Sequence, residues 1–160
     1  MRDSGALLIV HGNASIRARM LAYRMARLVQ RTLGHRYVSF QYPERRTPDW
    51  TQWRTVAYIA IREGVMVGYL VSRMTVAWGE ADLTDPDAVV NTGGHVEQKA
   101  LVDLVFVCPG FRRQGTASAL VQAMAEDRGF PSDGLLWRPP FGSEGLGLVK
   151  RFNQGKVLVS

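Results

Sequence analysis

The chain reads as a mixed α/β domain, and three observations predict that class. Short apolar runs of strand type alternate with segments of helical periodicity. A two-residue Glu63-Gly64 turn joins the runs Val56–Ile61 and Val65–Val71 into a hairpin, so part of the sheet is antiparallel. A third apolar run ends at Val107, turns through Pro109-Gly110, and enters a helix pattern through a loop containing Gly115.

The elements follow in order. Ala6–Val10 (ALLIV) has the length and composition of a buried strand. Asn13 or Ser15 stands where a helix cap is needed. In Ile16–Leu33, a helical step brings Ala18, Leu21, Ala22, Met25, Leu28, Val29 and Leu33 onto one face. Arg17, Arg24, Arg27 and Arg31 fall on the opposite face, and Gly34 ends the helix. His35–Arg54 is loop-like, with Pro43, Pro48 and the basic pair Arg45-Arg46. Its Trp50 and Trp53 read either as walls of a pocket or as covers on the core edge. After the hairpin, whose second strand reaches Val71 or continues to Trp78, Glu80–Gln98 is polar and rich in turn residues. It reads as a long loop or as a flexible insertion. Ala100–Val107 is a central strand, Gly115–Asp127 a helix and Leu135–Trp137 a short strand. Pro139-Pro140-Phe141-Gly142 makes a rigid turn, Ser143 caps a last helix to Phe152, and Lys156–Val159 is a terminal strand. The expected order is β-α-β-β-β-α-β-α-β within one domain, 1–160.

The stretch Leu104–Val121 carries the chemistry. A strand feeding a glycine-containing loop that opens a helix builds an anion site. The first N–H groups of the helix have no internal partner, and the helix dipole is positive there. Gly115 lets backbone approach a ligand, and Arg112 and Arg113 add positive charge with bidentate reach. Arg112-Arg113-Gln114-Gly115-Thr116-Ala117, preceded by Val107-Cys108-Pro109-Gly110-Phe111, resembles the R/Q-x-x-G-x-G/A signature and its lead-in in the GCN5-related N-acetyltransferases (GNAT superfamily). The hairpin with Gly68 in its second strand is similar to the central hairpin of that family.

The resemblance implies a mixed, mostly antiparallel central sheet with a V-shaped split, flanked by helices. It implies acetyl-CoA as cofactor and acetyl transfer to a primary amine by direct attack in a ternary complex. By resemblance, backbone at Val105, Phe106 and Val107 would hold the pantetheine arm and polarise the acetyl carbonyl. Arg112, Arg113, Gln114, Gly115, Thr116, Ala117 and Ser118 would cradle the pyrophosphate. The second short helix usual in the family is not evident between Leu33 and Val56. A weaker resemblance links Leu136–Gly145 and Gly155–Val159 to the tail of the cohesin-type lysine acetyltransferases, but their aspartate before the proline is Pro139 here.

A base must take a proton from the amine. Asp103 is the first candidate, since it shares strand parity with Val105 and Val107. An unpaired carboxylate buried in an apolar strand is disfavoured as an anion and ready to take up a proton. The equal alternative is a structural salt bridge or hydrogen bond with a neighbouring strand. Glu97 is the second candidate and His95 the third, while Glu80 and Asp82 would only attract a cationic substrate. The tyrosine acid on the family's last helix has no counterpart, its nearest position being Val149. Cys108 and Ser143 are candidate donors in its place. The missing tyrosine and the choice of base left open are also what a non-catalytic acyl-CoA-binding sensor or partner module would show.

The formal net charge of +6 favours an acidic partner, with CoA phosphates and RNA both fitting. Seventeen of the 20 basic residues are arginine. The Arg17, Arg24, Arg27, Arg31 face is either solvated or the site of an RNA or acidic partner. The substrate amine belongs to a small molecule, a protein or an aminoacyl-tRNA, and a homodimer is compatible with the chain. Cys108 is the only cysteine, which leaves no internal disulfide and no cysteine-based metal cluster. No apolar run approaches the roughly 20 residues of a membrane span, and the N-terminus lacks a signal-peptide core. A soluble cytoplasmic protein is expected, without a membrane. The phosphate motifs G-x-x-x-x-G-K-[ST] and G-x-G-x-x-G are both missing from the sequence.

Overall fold

A computed structural model describes residues 5–40, 55–76, 78–91, 97–138, 143–153 and 156–160. The elements in chain order are β1 (Ala6–Val10), α1 (Ile16–Leu33), β2 (Thr55–Arg62), β3 (Val65–Thr75), β4 (Gly79–Asp82), β5 (Asp85–Asn91), β6 (Lys99–Val107), α2 (Thr116–Arg128), β7 (Leu136–Trp137), α3 (Ser143–Phe152) and β8 (Lys156–Val159). They group into two compact units, one of residues 1–72 with 104–120 and one of 73–103 with 121–160. The polypeptide passes between the units within β3, β6 and α2.

In the first unit the strands follow the order β1-β2-β3-β6. β1 pairs antiparallel with β2 from Ala6↔Ile61 to Val10↔Ala57. It is the edge strand and is covered on one face only. Leu8 and Val10 pack on the core while Leu7 and Ile9 are exposed. The expectation of a buried strand is therefore corrected. The hairpin between β2 and β3 turns at Glu63 (φ 50°) and Gly64 (φ 75°). Two consecutive left-handed residues match the twist of the strands they join.

The α1 helix starts and stops where its sequence dictates. Ser15 Oγ accepts a hydrogen bond from the Ala18 N–H at 3.2 Å. Gly34 adopts φ 68° and its N–H reaches the Gln30 carbonyl. Ala22, Met25, Ala26 and Val29 form a core with Ala57, Ile59, Tyr69, Val71 and Phe106. Leu28 and Leu33 depart from the expected apolar face, because both are exposed. At about 100° per residue Leu28 falls on the arginine side of the helix, and Leu33 stands at its last residue.

In the second unit the order is β6-β7-β8-β4-β5. β6 runs parallel to β7 (Leu101↔Leu136, Val102↔Trp137), and β7 runs parallel to β8. β8 pairs antiparallel with β4 from Gly79↔Val159 to Asp82↔Lys156, and β4 antiparallel with β5. The reading of Glu80–Gln98 as a loop or flexible insertion is thus overturned across most of its length, since β4 and β5 form a hairpin there. Asp82 Oδ1 accepts from the Thr84 N–H at 2.8 Å and from the Thr84 hydroxyl at 2.7 Å. The polar string that looked like a loop contains the hairpin's turn, and β4 is held by β8, more than 70 residues later. Two strands are accordingly added to the expected order. Trp50, Trp53, Arg45, Arg46 and His95 lie outside the described residues, as does the segment where a second short helix was sought.

Candidate active site

The end of β6 and the start of α2 build the predicted loop within the first unit. Leu104, Phe106 and Cys108 pack toward the α1 core, so Phe106 contributes its ring there. Val105 and Val107 alternate to the other face and are only half-buried. The strand stops as the Cys108 N–H reaches the Val67 carbonyl at 2.8 Å. Pro109–Phe111 then forms a single 3₁₀ turn, closed by the Phe111 N–H on the Cys108 carbonyl at 2.8 Å.

Beyond that turn the chain takes two left-handed residues close together, Arg113 at φ 60° and Gly115 at φ 79°. A non-glycine residue in this region is strained and is retained only where its surroundings demand it. Arg112 folds back on the strand, its Nε donating to the Val107 carbonyl at 2.9 Å and its guanidinium lying 5.8 Å from the centre of the Phe106 ring. The Gln114 amide oxygen accepts from Arg62. Arg113 and Gly115 are exposed, and a Cβ added at Gly115 would meet nothing within 4 Å.

The Ala119 N–H closes the first helical turn on the Gly115 carbonyl at 3.0 Å. The N–H groups of Thr116 and Ala117 therefore stand in the first turn, where an α-helix supplies no i−4 partner. Thr116 is buried, and its hydroxyl has no hydrogen-bond partner among the described residues. A buried hydroxyl left in that state is costly, and a phosphate oxygen would satisfy it. Gly68 sets how closely the helix approaches β3. A Cβ there would lie 3.0 Å from Thr116 Cγ2, 3.2 Å from Leu120 Cδ1 and 3.3 Å from Ala60 Cβ.

The first-choice base has a different setting, in the second unit. The Asp103 side chain is 3% exposed and takes two arginines. Arg73 Nε donates to Oδ2 at 3.0 Å, and Arg138 Nε donates to Oδ1. This geometry matches the ion-pair alternative for Asp103. Neither arginine was singled out in the sequence. The available signal was a charge at Arg73 within the apolar run of β3, whereas Arg138 had none beyond its place after β7. Glu97 is exposed, and its backbone carbonyl accepts from Trp78 Nε1 at 3.2 Å. The Trp137 indole N–H is buried with no partner among the described residues. Val149, the position nearest the family's tyrosine, is 1% exposed.

The parallel ladder of β6 with β7 covers only Leu101 and Val102, because β7 is two residues long. The strand continues five residues past that ladder to Val107. A short parallel neighbour, a longer central strand and a glycine loop on a helix start match the expected fold. Residues 23–131 match the acetyltransferase (GNAT) family. The chain belongs to that family. Solved GNAT-fold structures resemble it along nearly its whole length. The xEco2 acetyltransferase domain, bound to a CoA conjugate, superposes with a TM-score of 0.70 at 19% identity, covering 100% of this chain and 94% of that one. A ribosomal-protein-alanine N-acetyltransferase from Brucella melitensis biovar Abortus 2308 gives 0.56 at 20% identity, covering 95% and 92%. The aminoglycoside N-acetyltransferase AAC(6')-Iy in complex with CoA gives 0.52 at 16% identity, covering 94% and 87%. No curated protein sequence matches the chain. Among the described residues no helix is long and apolar enough to cross a membrane, and no cluster of His, Cys, Asp and Glu could hold a metal ion.

Proposed function

We propose that the chain is one acetyltransferase domain, 1–160, that moves an acetyl group from acetyl-CoA to a primary amine by direct attack in a ternary complex. One observation carries this reading: the buried Thr116 hydroxyl, without a partner among the described residues, at a helix start that follows the left-handed residues Arg113 and Gly115. Acetyl-CoA supplies a thioester already activated for transfer. The protein must bind it, orient it and manage protons.

The N–H groups of Thr116, Ala117 and Ser118, with the Gln114-Gly115 backbone, would hold the pyrophosphate. Arg113 would face it with free charge, and Arg112 braces the loop against β6. Backbone at Val105, Phe106 and Val107 would align the pantetheine arm and polarise the acetyl carbonyl, an effect that needs no reactive side chain. For the proton, Asp103 is two residues from Val105 in sequence, but guanidiniums occupy both of its oxygens. Glu97 has an exposed carboxylate, yet it precedes Asp103 by about 20 Å of extended chain. Asp103 therefore serves best as a positioning residue for Arg73 and Arg138, with water removing the amine proton. The buried Val149 leaves the thiolate to depart through water or with help from the half-buried Cys108.

The two occupied oxygens of Asp103 also favour a second reading, a non-catalytic acyl-CoA-binding module. The two readings separate in a thiol-release assay with acetyl-CoA and a panel of small amines, peptide amines and aminoacyl-RNA. Amine-dependent thiol release with intersecting initial-velocity lines supports direct transfer. Parallel lines, or an acetylated enzyme seen by intact mass, would contradict it. Acetyl-CoA binding without release on any amine supports the module.

A further inference from the structure

The α1 helix carries a feature that acetyl transfer does not use. Between Asp3 and Glu44 the sequence contains no carboxylate and six arginines: Arg17, Arg19, Arg24, Arg27, Arg31 and Arg36. Arg17, Arg24 and Arg31 are exposed and stand seven residues apart on one side of α1. Two helical turns separate each from the next, about 10.5 Å, so the row spans about 21 Å. None of these three has an ion-pair partner among the described residues. Arg27 flanks the row and donates to Gln30 Oε1 at 3.3 Å. Directly after the helix, His35 and Tyr37 stack with ring centres 5.7 Å apart, and Tyr37 is 51% exposed.

We propose that this face binds single-stranded RNA. A row of guanidiniums with no ion-pair partner among the described residues suits a repeating phosphate backbone, and their planar forks pair with phosphate oxygens two at a time. The exposed Tyr37 ring, which follows the helix in the chain, offers a stacking surface to an unpaired base. An anionic membrane fits less well. A helix that lies in a membrane needs a broad exposed apolar face, and the apolar face of α1 is buried in the core through Ala22, Met25, Ala26 and Val29. An acidic peptide would use the charge but not the stacked rings.

The test is fluorescence anisotropy with a labelled oligouridylate, at salt from about 50 to about 200 mM. An oligoglutamate of equal charge is the comparison. Wild type should bind the RNA with an affinity that falls steeply with salt. Arg24→Gln with Arg31→Gln should flatten the log–log salt slope by about 1.4, at about 0.7 per single-strand phosphate released. Tyr37→Ala should weaken RNA binding about tenfold and leave the slope unchanged. Thermal melting and acetyl-CoA titration of the variants should match wild type, since none of these residues belongs to the Gly115 loop. Absent RNA binding at the lowest salt would overturn the proposal. So would binding indifferent to the double arginine variant, or equal affinity for oligoglutamate.

Discussion

Around Gly115, two arginines stand beside the N–H groups of a helix start, and no carboxylate occurs in the sequence between Asp103 and Glu126. Around Asp103, two arginines share one buried carboxylate. The residue type is the same and the consequence differs. At the loop, Arg112 braces the strand end through the Val107 carbonyl and the Phe106 ring. Arg113, exposed in the same loop, is the charge we propose for the ligand. At Asp103 one of two positive charges is already neutralised, and the carboxylate that might have served as base is engaged. The difference teaches that a count of charged residues says little about availability until their partners are known.

The comparison can be broken in three places. Asp103→Asn should cost at least as much stability as any other change considered, because it leaves two guanidiniums facing a neutral amide. Breaking a buried pair is worth about 3–5 kcal/mol. Arg73 and Arg138 are 39% and 44% exposed, which reduces the expected loss to about 1–3 kcal/mol. Chemical denaturation should register that loss while acetyl-CoA affinity stays the same. A variant as stable as wild type but slow in turnover would instead make Asp103 the base.

Gly68→Ala comes next. The added methyl group enters contacts of 3.0–3.3 Å with Thr116, Leu120 and Ala60. Overpacking of this kind costs about 1–3 kcal/mol. Because Thr116 is the first residue of α2, acetyl-CoA affinity should fall along with the melting temperature. Unchanged acetyl-CoA affinity in a destabilised variant would separate helix packing from the loop.

Thr116→Val is the smallest change to the free protein and the sharpest test of the loop. It exchanges a buried hydroxyl, without a partner among the described residues, for a methyl group of similar shape. Without ligand, stability should hold or rise by about 1 kcal/mol, since a desolvated polar group is removed. Acetyl-CoA affinity should fall several-fold. A loss of stability without a loss of affinity would mean that the hydroxyl serves the fold.

The same two regions explain what the sequence could disclose. The loop was legible because its parts are contiguous: strand, proline turn, arginines, glycine and helix follow one another from Leu104 to Val121. α1 was legible for the same reason, with Ser15 and Gly34 marking its ends. The setting of Asp103 was not, because its partners lie 30 and 35 residues away along the chain. The β4–β5 hairpin was missed on similar grounds. Its sequence is polar and rich in turn residues, and β4 pairs with β8, more than 70 residues further along the chain. β1 had the right bounds but the wrong burial, because a run of five apolar residues does not reveal that its strand lies at an edge.

Calorimetric titration of acetyl-CoA into wild type and Gly115→Glu tests the central claim most directly. The account predicts saturable binding to wild type. It predicts at least a hundredfold loss in the variant, where a side chain is forced onto a left-handed backbone and its charge repels phosphate. A folded Gly115→Glu variant that binds acetyl-CoA as wild type does would contradict the placement of the cradle, and a folded wild type that does not bind would contradict the function.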